Sequence, residues 1–306
     1  MARRLIIRFA LLIITSLGVA AVVFLVEFVL PGDPARMLVP RVASPQAIAA
    51  IRAHLHLDDP ILVQFAHYFW GLFHGDLGMS YVQKEPVLSL IAAHLGATIL
   101  LAVAGVFVEI IVGMPLGIYA AISDRGRRVV TGVNMSLLSL PTFVLGLLLL
   151  LFFGFRLHAV PVTGGAGAAQ LILPAVTLGL LGAPYYAQVS SEEMTQALAS
   201  AYARTAVSKG LPNFRIVSRH ALRNTLPPLV TMLGLDLGLF LSGVVVVETV
   251  FGWPGIGLLA DESVQNLDRP VVLGIALLAA IAVGVFNFVA DIVVMFLDPR
   301  TRLGIT

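Results

Sequence analysis

The sequence predicts an all-α membrane protein with six transmembrane helices, both termini in the cytoplasm, and an extracytoplasmic helical segment between the first and second spans. Three observations lead there. The 306-residue chain is 58% hydrophobic and 12% charged, with a mean hydropathy of +0.97, whereas a soluble domain is roughly 45–50% apolar and about 25% charged. Its apolar residues gather in runs able to cross about 30 Å of hydrocarbon, which takes about 20 helical residues. Its basic residues are divided unevenly among the connections between those runs.

The first span, near 9–30, follows Arg3, Arg4 and Arg8 in the manner of a secretory signal. Its apolar run of about 22 residues exceeds the ~7–15 of a signal core, so it is expected to be a retained helix. The outer segment 31–96 comes next, with Ser44-Pro45-Gln46 as a helix start. Residues 60–73 carry an amphipathic aromatic pattern, closed by the turn Gly75-Asp76-Leu77-Gly78. That stretch either lies on the membrane surface or forms a small external lobe. Further spans are expected near 97–122, 131–154, 170–190, 228–250 and 271–297. The fourth is interrupted by Pro174, Gly179, Gly182 and Pro184, breaks that survive in a bilayer where neighbouring helices satisfy the freed backbone groups. The whole of 1–306 is then one transmembrane domain, with a cytoplasmic loop at 191–227.

Six spans sort the loops into two sets. One holds Arg3, Arg4, Arg8, Arg125, Arg127, Arg128, Arg204, Lys209, Arg215, Arg219, Arg223, Arg300 and Arg302, thirteen of the nineteen basic residues. The other holds Arg36, Arg41, Arg52, Lys84, Arg156 and Arg269. The positive-inside bias places the first set, with both termini and the 191–227 loop, in the cytoplasm.

Several chemistries are set aside. The chain has no cysteine, which removes disulfides, thiolate metal sites and cysteine nucleophiles. It has no G-x-x-x-x-G-K-[ST] phosphate loop, so any driving nucleotide binds another polypeptide. Gly255-Ile-Gly257-Leu-Leu-Ala260 fits the loose dinucleotide pattern but follows an apolar span rather than a strand, which suits a re-entrant turn. His54 and His56, with Asp58 and Asp59 beside them, stand two residues apart and so leave a helix on different sides; a surface role is expected and no metal site. There is neither a nucleophile-elbow motif nor an H-E-x-x-H helix, and the chain is not expected to be an enzyme.

Five carboxylates fall within or at the ends of spans: Glu27, Glu109, Asp236, Glu248 and Asp291. Glu109 and Asp236 sit near mid-span, where no Lys, Arg or His is available to pair with them. They line a polar translocation path or proton relay, or they bond between helices at a packing interface. An ion-coupled secondary carrier would use such carboxylates, but it usually shows internal repeats with paired broken helices, and the fourth-span pattern has no second copy.

The 191–227 loop is basic and helix-compatible. Ala197 to Lys209 is good helix sequence, Gly210 supplies a turn, Pro212 blocks direct continuation, and 214–223 resumes a basic amphipathic pattern. The loop is either a solvated topological signal or a helix–turn–helix for docking into a partner's groove.

Its residues resemble the integral-membrane permeases of bacterial ABC importers, specifically the B-type subunit of dipeptide/oligopeptide systems. Importer permeases carry E-A-A-x-x-x-G in a cytoplasmic loop; here Arg204-Thr205-Ala206-Val207-Ser208-Lys209-Gly210 keeps the second small residue and the glycine but lacks the leading Glu. The peptide-permease form D-Y-x-R-T-A-x-A-K-G-L…R-H-A-L-R-N is similar to Ala201 through Leu211 followed by Arg219-His220-Ala221-Leu222-Arg223-Asn224, departing at Ala201 and Ser208. Three more blocks match: Leu30-Pro31-Gly32-Asp33-Pro34, Gly75-Asp76-Leu77-Gly78-Met79-Ser80, and Val247-Glu248 through Trp253-Pro254-Gly255-Ile256-Gly257. Asp298-Pro299-Arg300 is also typical.

The resemblance spans the chain and implies half of a translocation pathway in a bacterial cell membrane. The implied partners are a homologous C-type permease, two cytosolic ABC ATPases that bind ATP and Mg, and an extracytoplasmic substrate-binding protein for which the 31–96 segment is a surface. No nucleic acid is involved, and this chain itself holds no cofactor. Arg204, Thr205, Ala206, Lys209, Gly210 and Leu211 would form the ATPase-coupling loop, and Glu248, Pro254 and Gly255 the outer turn after the fifth span. The implied cargo is a di- or oligopeptide, with nickel, glutathione or another small solute as the alternative.

Overall fold

Long apolar stretches favour helix, because in hydrocarbon a helix satisfies its own backbone groups. Every regular element among the described residues is helical, and one isolated bridge joins Met79 and Pro86. The computed structural model describes residues 2–29, 32–39, 44–161, 165, 167–241 and 244–297. Leu30, Pro31, Arg41, Asp298-Pro299-Arg300 and Arg302 lie outside them.

Helix α1 (Ala2–Val29) carries the first apolar run. The outer helices α2 (Pro34–Met37), α3 (Pro45–His54) and α4 (Ile61–Phe73) follow. Ser44 caps α3 as its sequence predicts, its hydroxyl accepting from the Ala47 amide at 3.2 Å. Next come α5 (Val87–Ile122), α6 (Asp124–Leu138) and α7 (Thr142–Leu149), the last running into a π-helical turn over Leu150–Arg156. Helices α8 (Ala168–Ala199), α9 (Ala201–Ser208) and α10 (Asn213–Arg215) lead into a second π-helical stretch, Ile216–Ala221, and on to α11 (Leu222–Leu241). Helices α12 (Val245–Phe251), α13 (Ile256–Gln265) and α14 (Arg269–Leu297) complete the chain.

Four of these, α1, α5, α8 and α14, are each long and apolar enough to cross a membrane, and there are up to six spans if two bent pairs each count as one. The expected continuous span at 131–154 is one of the bent pairs: α6 and α7 meet at 98°. Pro141, at the N-cap of α7, lacks the N–H that would carry α6 onward. The stretch expected as the fifth span is likewise bent, by 55° between α11 and α12. Helix α5 starts at Val87, within the stretch that hydropathy assigns to the outer segment. At 36 residues it is about 54 Å long and outreaches the hydrocarbon.

The fourth span corrects the sequence reading most sharply. Pro174 and Pro184 stand inside an unbroken 32-residue α8, and its glycines are contact points rather than breaks. Helices α5 and α8 form the most extensive helix pair among the described residues. A methyl group added to Gly113 or Gly117 would stand 2.6 Å from the Cβ of Tyr186 or Ser190. One on Gly179 would run into Val108, and one on Gly182 into the Glu109 carboxyl. Small residues facing one another let the two backbones close, which is how helices gain packing energy where lipid supplies no hydrophobic drive. The same device joins α11 to α14, where Gly234 abuts Ala290 and Gly238 abuts Val283.

Buried clusters run along this spine. At the end beside α13, Val87, Leu90 and Ile91 of α5 pack on Ile256 and Leu259 of α13 and on Val271 and Ile275 of α14. Leu101, Ala175, Leu178, Val247 and Trp253 follow. At the other end Met194 and Ala197 of α8 enclose Ala221, with Ile118 and Ala121 of α5 against them.

Candidate functional site

The basic loop folds as a compact knob. Ser200 interrupts the helix that the sequence predicts across 197–209: it stands in extended geometry at φ −71°, ψ 161° and caps α9, its hydroxyl accepting from the Ala203 amide at 3.4 Å. Helix α9 ends at Gly210, whose φ is +72°. The Leu211 amide donates to the Ala206 carbonyl at 3.2 Å and the Gly210 amide to Val207 at 2.9 Å. These are the two bonds of a Schellman stop, where a left-handed glycine closes the last turn. Leu211 then folds back onto the buried cluster of Ala203, Ala206 and Ile216. Of the expected coupling residues, Ala206 and Leu211 therefore hold the knob together, while Arg204, Thr205, Lys209 and Gly210 are exposed. Two exposed apolar side chains join them: Val207, and Phe214, which is 82% exposed. Phe214 escaped the sequence reading; a lone aromatic in a basic stretch was the available signal.

Glu109, Tyr186 and Asp236 bring α5, α8 and α11 together. The Tyr186 hydroxyl donates to Asp236 Oδ2 at 2.7 Å, and Glu109 lies within electrostatic reach of Asp236. Glu109 is 1% exposed, and its Oε2 has no hydrogen-bond partner among the described residues. Gly182 is the position that makes room for its carboxyl. Asp236 is only half-buried.

The outer turn is a clasp built on Glu248. This residue is fully buried. Its Oε2 accepts from the Gly257 and Leu258 amides at 2.6 and 3.1 Å, capping the N-terminus of α13 from nine and ten residues upstream. Its Oε1 accepts from the Thr98 hydroxyl of α5 at 2.8 Å, and the Thr98 oxygen in turn accepts from the Ile256 amide at 2.7 Å. A helix N-terminus leaves its first amides unpaired, and a carboxyl there satisfies them with the helix dipole in its favour. Trp253 adds a second tie, its indole N–H donating to the Ala97 carbonyl at 2.9 Å. Gly255 has to be a glycine, because a methyl group there would strike both Glu248 oxygens. Pro254 sits half-buried between left-handed Gly252 and Gly255.

A second clasp, not foreseen in the sequence, holds the outer segment. Asp268 is 2% exposed. It accepts from the Ser80 hydroxyl at 2.5 Å and from the Tyr81 and Val82 amides at 2.9 and 3.3 Å. The turn after Gly75-Asp76-Leu77-Gly78 is thereby tied to the α13–α14 junction. Of the two outer histidines, His54 is exposed on α3 and His56 pairs with Asp59 at 3.2 Å.

Comparison with known proteins places this architecture. A family model described as binding-protein-dependent transport system inner membrane component matches residues 113–303, and its N-terminal companion matches residues 1–102. The glutathione transport system permease protein GsiC of Salmonella choleraesuis (strain SC-B67) is 38% identical over 293 residues, covering 95% of this chain and 96% of that protein. The protein of the same name from Escherichia coli (strain K12) is 37% identical over 294 residues, with the same coverage. Among solved structures, a chain of the inward-facing MetNI methionine ABC transporter superposes with a TM-score of 0.57 at 18% identity, over 71% of this chain and 100% of that one. At that identity the likeness concerns the fold.

Proposed function

Because the chain belongs to the family of binding-protein-dependent transport system inner membrane components, as an ABC-importer permease of a bacterial inner membrane, we propose that it forms half of a translocation pathway for di- or oligopeptides and works by alternating access. What carries this reading is the knob at α9–Gly210: an exposed apolar and basic surface with a defined turn, in a chain with no phosphate-binding loop of its own. Such a surface suits the groove of a cytosolic ATPase. ATP and Mg would bind there, on two partner subunits, while a homologous C-type permease supplies the other half of the path. A binding protein would deliver cargo to the outer segment.

The packing supports a mechanical route. The knob is joined through Ala197, Met194 and Ala221 to the inner ends of α5 and α8, and α8 is one continuous helix of 32 residues, about 48 Å long. Displacement of the knob by closing ATPases would thus move the zipped α5–α8 pair as a unit. The Glu248 clasp then carries that motion to α13 at the outer face. Six spans follow if each bent pair crosses once, with both termini and the 191–227 loop in the cytoplasm, as the charge bias favours. The burial of Glu109 favours helix packing over pathway lining, and Asp236, half-buried and bonded by Tyr186, is the better placed of the two to face a path.

Glutathione is the second reading of the cargo, favoured by the name of the relatives at 37 and 38% identity; it is itself a tripeptide. Nickel has no such support. Co-purification of the tagged chain is the test: two ATPases, a second permease and ATP-dependent uptake of labelled tripeptide are expected. Uptake by this chain alone, driven by a proton gradient, would overturn the proposal. Competition between glutathione and an ordinary tripeptide in the same vesicles then separates the two cargo readings.

A further inference from the structure

Between the outer segment and the bundle lies a cavity of about 280 Å³, lined by α1, α4, the Asp76–Gly78 turn and the start of α14. Its walls combine apolar surface from Phe24, Leu77 and Leu273 with charged groups, Glu27 on one helix, Asp76 in the turn and Arg269 on another helix. Glu27 and Arg269 interact through space, yet no ion pair within 4 Å joins them among the described residues. Among the described residues the Arg269 side chain makes one weak bond, from Nη2 to the Gly32 carbonyl at 3.4 Å. Its Nε, and the hydroxyl of Tyr68, are buried without a hydrogen-bond partner among the described residues. Burial also pushes the Tyr68 phenol up to about 12, so it stays a neutral donor at physiological pH.

Buried donors of this kind are costly unless something accepts from them. A guanidinium and a phenol hydroxyl that line one cavity can both donate to an anionic oxyacid group. Glu27 in the same cavity offers an acceptor for an ammonium. An intramolecular Glu27–Arg269 pair would have neutralised both groups; no such pair within 4 Å forms among the described residues, although both line the cavity. The volume suits a compact polar group rather than a whole drug-sized ligand.

We propose that this cavity binds a zwitterionic head, an ammonium group next to a carboxylate or phosphate, with the anionic end on Arg269 and Tyr68 and the ammonium on Glu27. Two sources carry that chemistry: the terminus of a short peptide, and a phosphatidylethanolamine headgroup of the surrounding bilayer. The peptide source rests on the cargo reading above; the lipid source does not.

The test uses the full transporter complex in nanodiscs, without ATP, so that its outcome is independent of transport. One arm titrates trialanine into discs of phosphatidylglycerol alone and reads binding by calorimetry. The other measures phosphatidylethanolamine retained through purification by native mass spectrometry. Binding in at least one arm is expected, with Arg269→Gln weakening it by about tenfold or more and Tyr68→Phe by a few-fold. Tyr68→Phe keeps the ring packed on Phe24 and Phe69, so it reports the hydroxyl rather than folding. No binding in either arm overturns the proposal, as does binding unchanged by both variants, or inorganic phosphate competing as well as the zwitterion. An importer that transports normally with no ligand in this cavity would leave the functional reading standing and remove this one.

Discussion

Two residues show how differently one side chain can matter at the two ends of this molecule. Glu248 is buried with three donors on its carboxyl, and removing it would strand the Gly257 and Leu258 amides away from water. Glu248→Ala is therefore expected to cost about 2–4 kcal/mol, read as a lower unfolding temperature of the purified protein, whereas Glu248→Gln keeps an acceptor and loses less. An unchanged melting curve for the alanine variant would contradict the clasp. Gly210 is the opposite case. Nothing lies within 4 Å of where its Cβ would be, but its φ is +72°, so the penalty is in the backbone, about 1–2 kcal/mol for an L-residue and more for a β-branched one. Gly210→Val is expected to leave the protein folded and ATP hydrolysis running while uptake per ATP falls by about tenfold. Tight coupling in that variant would sink the lever reading.

Among the elements, the α5–α8 pair sets the character of the fold. Its glycines let one helix seat on the other closely enough that added side chains have nowhere to go. Gly182→Leu would drive a side chain into Glu109, and overpacking of this order costs about 1–3 kcal/mol or more. Loss of folded protein in detergent, partly restored by shortening the partner in a Gly182→Leu, Glu109→Ala double variant, is the expected outcome; equal behaviour of the single and double variants would show that the two residues do not meet. The helix α6–α7 corner teaches a related lesson. Hydropathy sees one apolar run through Pro141, because a running average is blind to a missing amide proton and to the direction in which a chain leaves a helix.

Over the whole molecule, topology is open to a clean measurement, since the chain has no cysteine. Single cysteines placed at Ser208 in the knob and at Asp58 in the outer segment would each be exposed. A membrane-impermeant maleimide applied from outside is expected to modify Asp58→Cys in intact spheroplasts, and Ser208→Cys only after lysis. The reverse pattern would invert the orientation drawn from the basic residues. The helical class, the membrane and the family were legible in this sequence because they rest on composition and on local motifs such as Arg204 through Leu211. The start of α3 was legible too, since Ser44 acts on an amide three residues away. Asp268 was not: its partners Ser80, Tyr81 and Val82 are more than 180 residues distant in the chain.

The sequence by itself determined the solvent, through long uncharged runs that only a bilayer accommodates, and it determined where the chain turns at Gly210, because a left-handed stop is written in neighbouring residues. Only the tertiary structure decided that Pro174 and Pro184 do not break α8, that the third apolar run turns a corner, and that Glu248 is a clasp. Each of those outcomes depends on which surface arrives opposite the residue, and local periodicity carries no record of that.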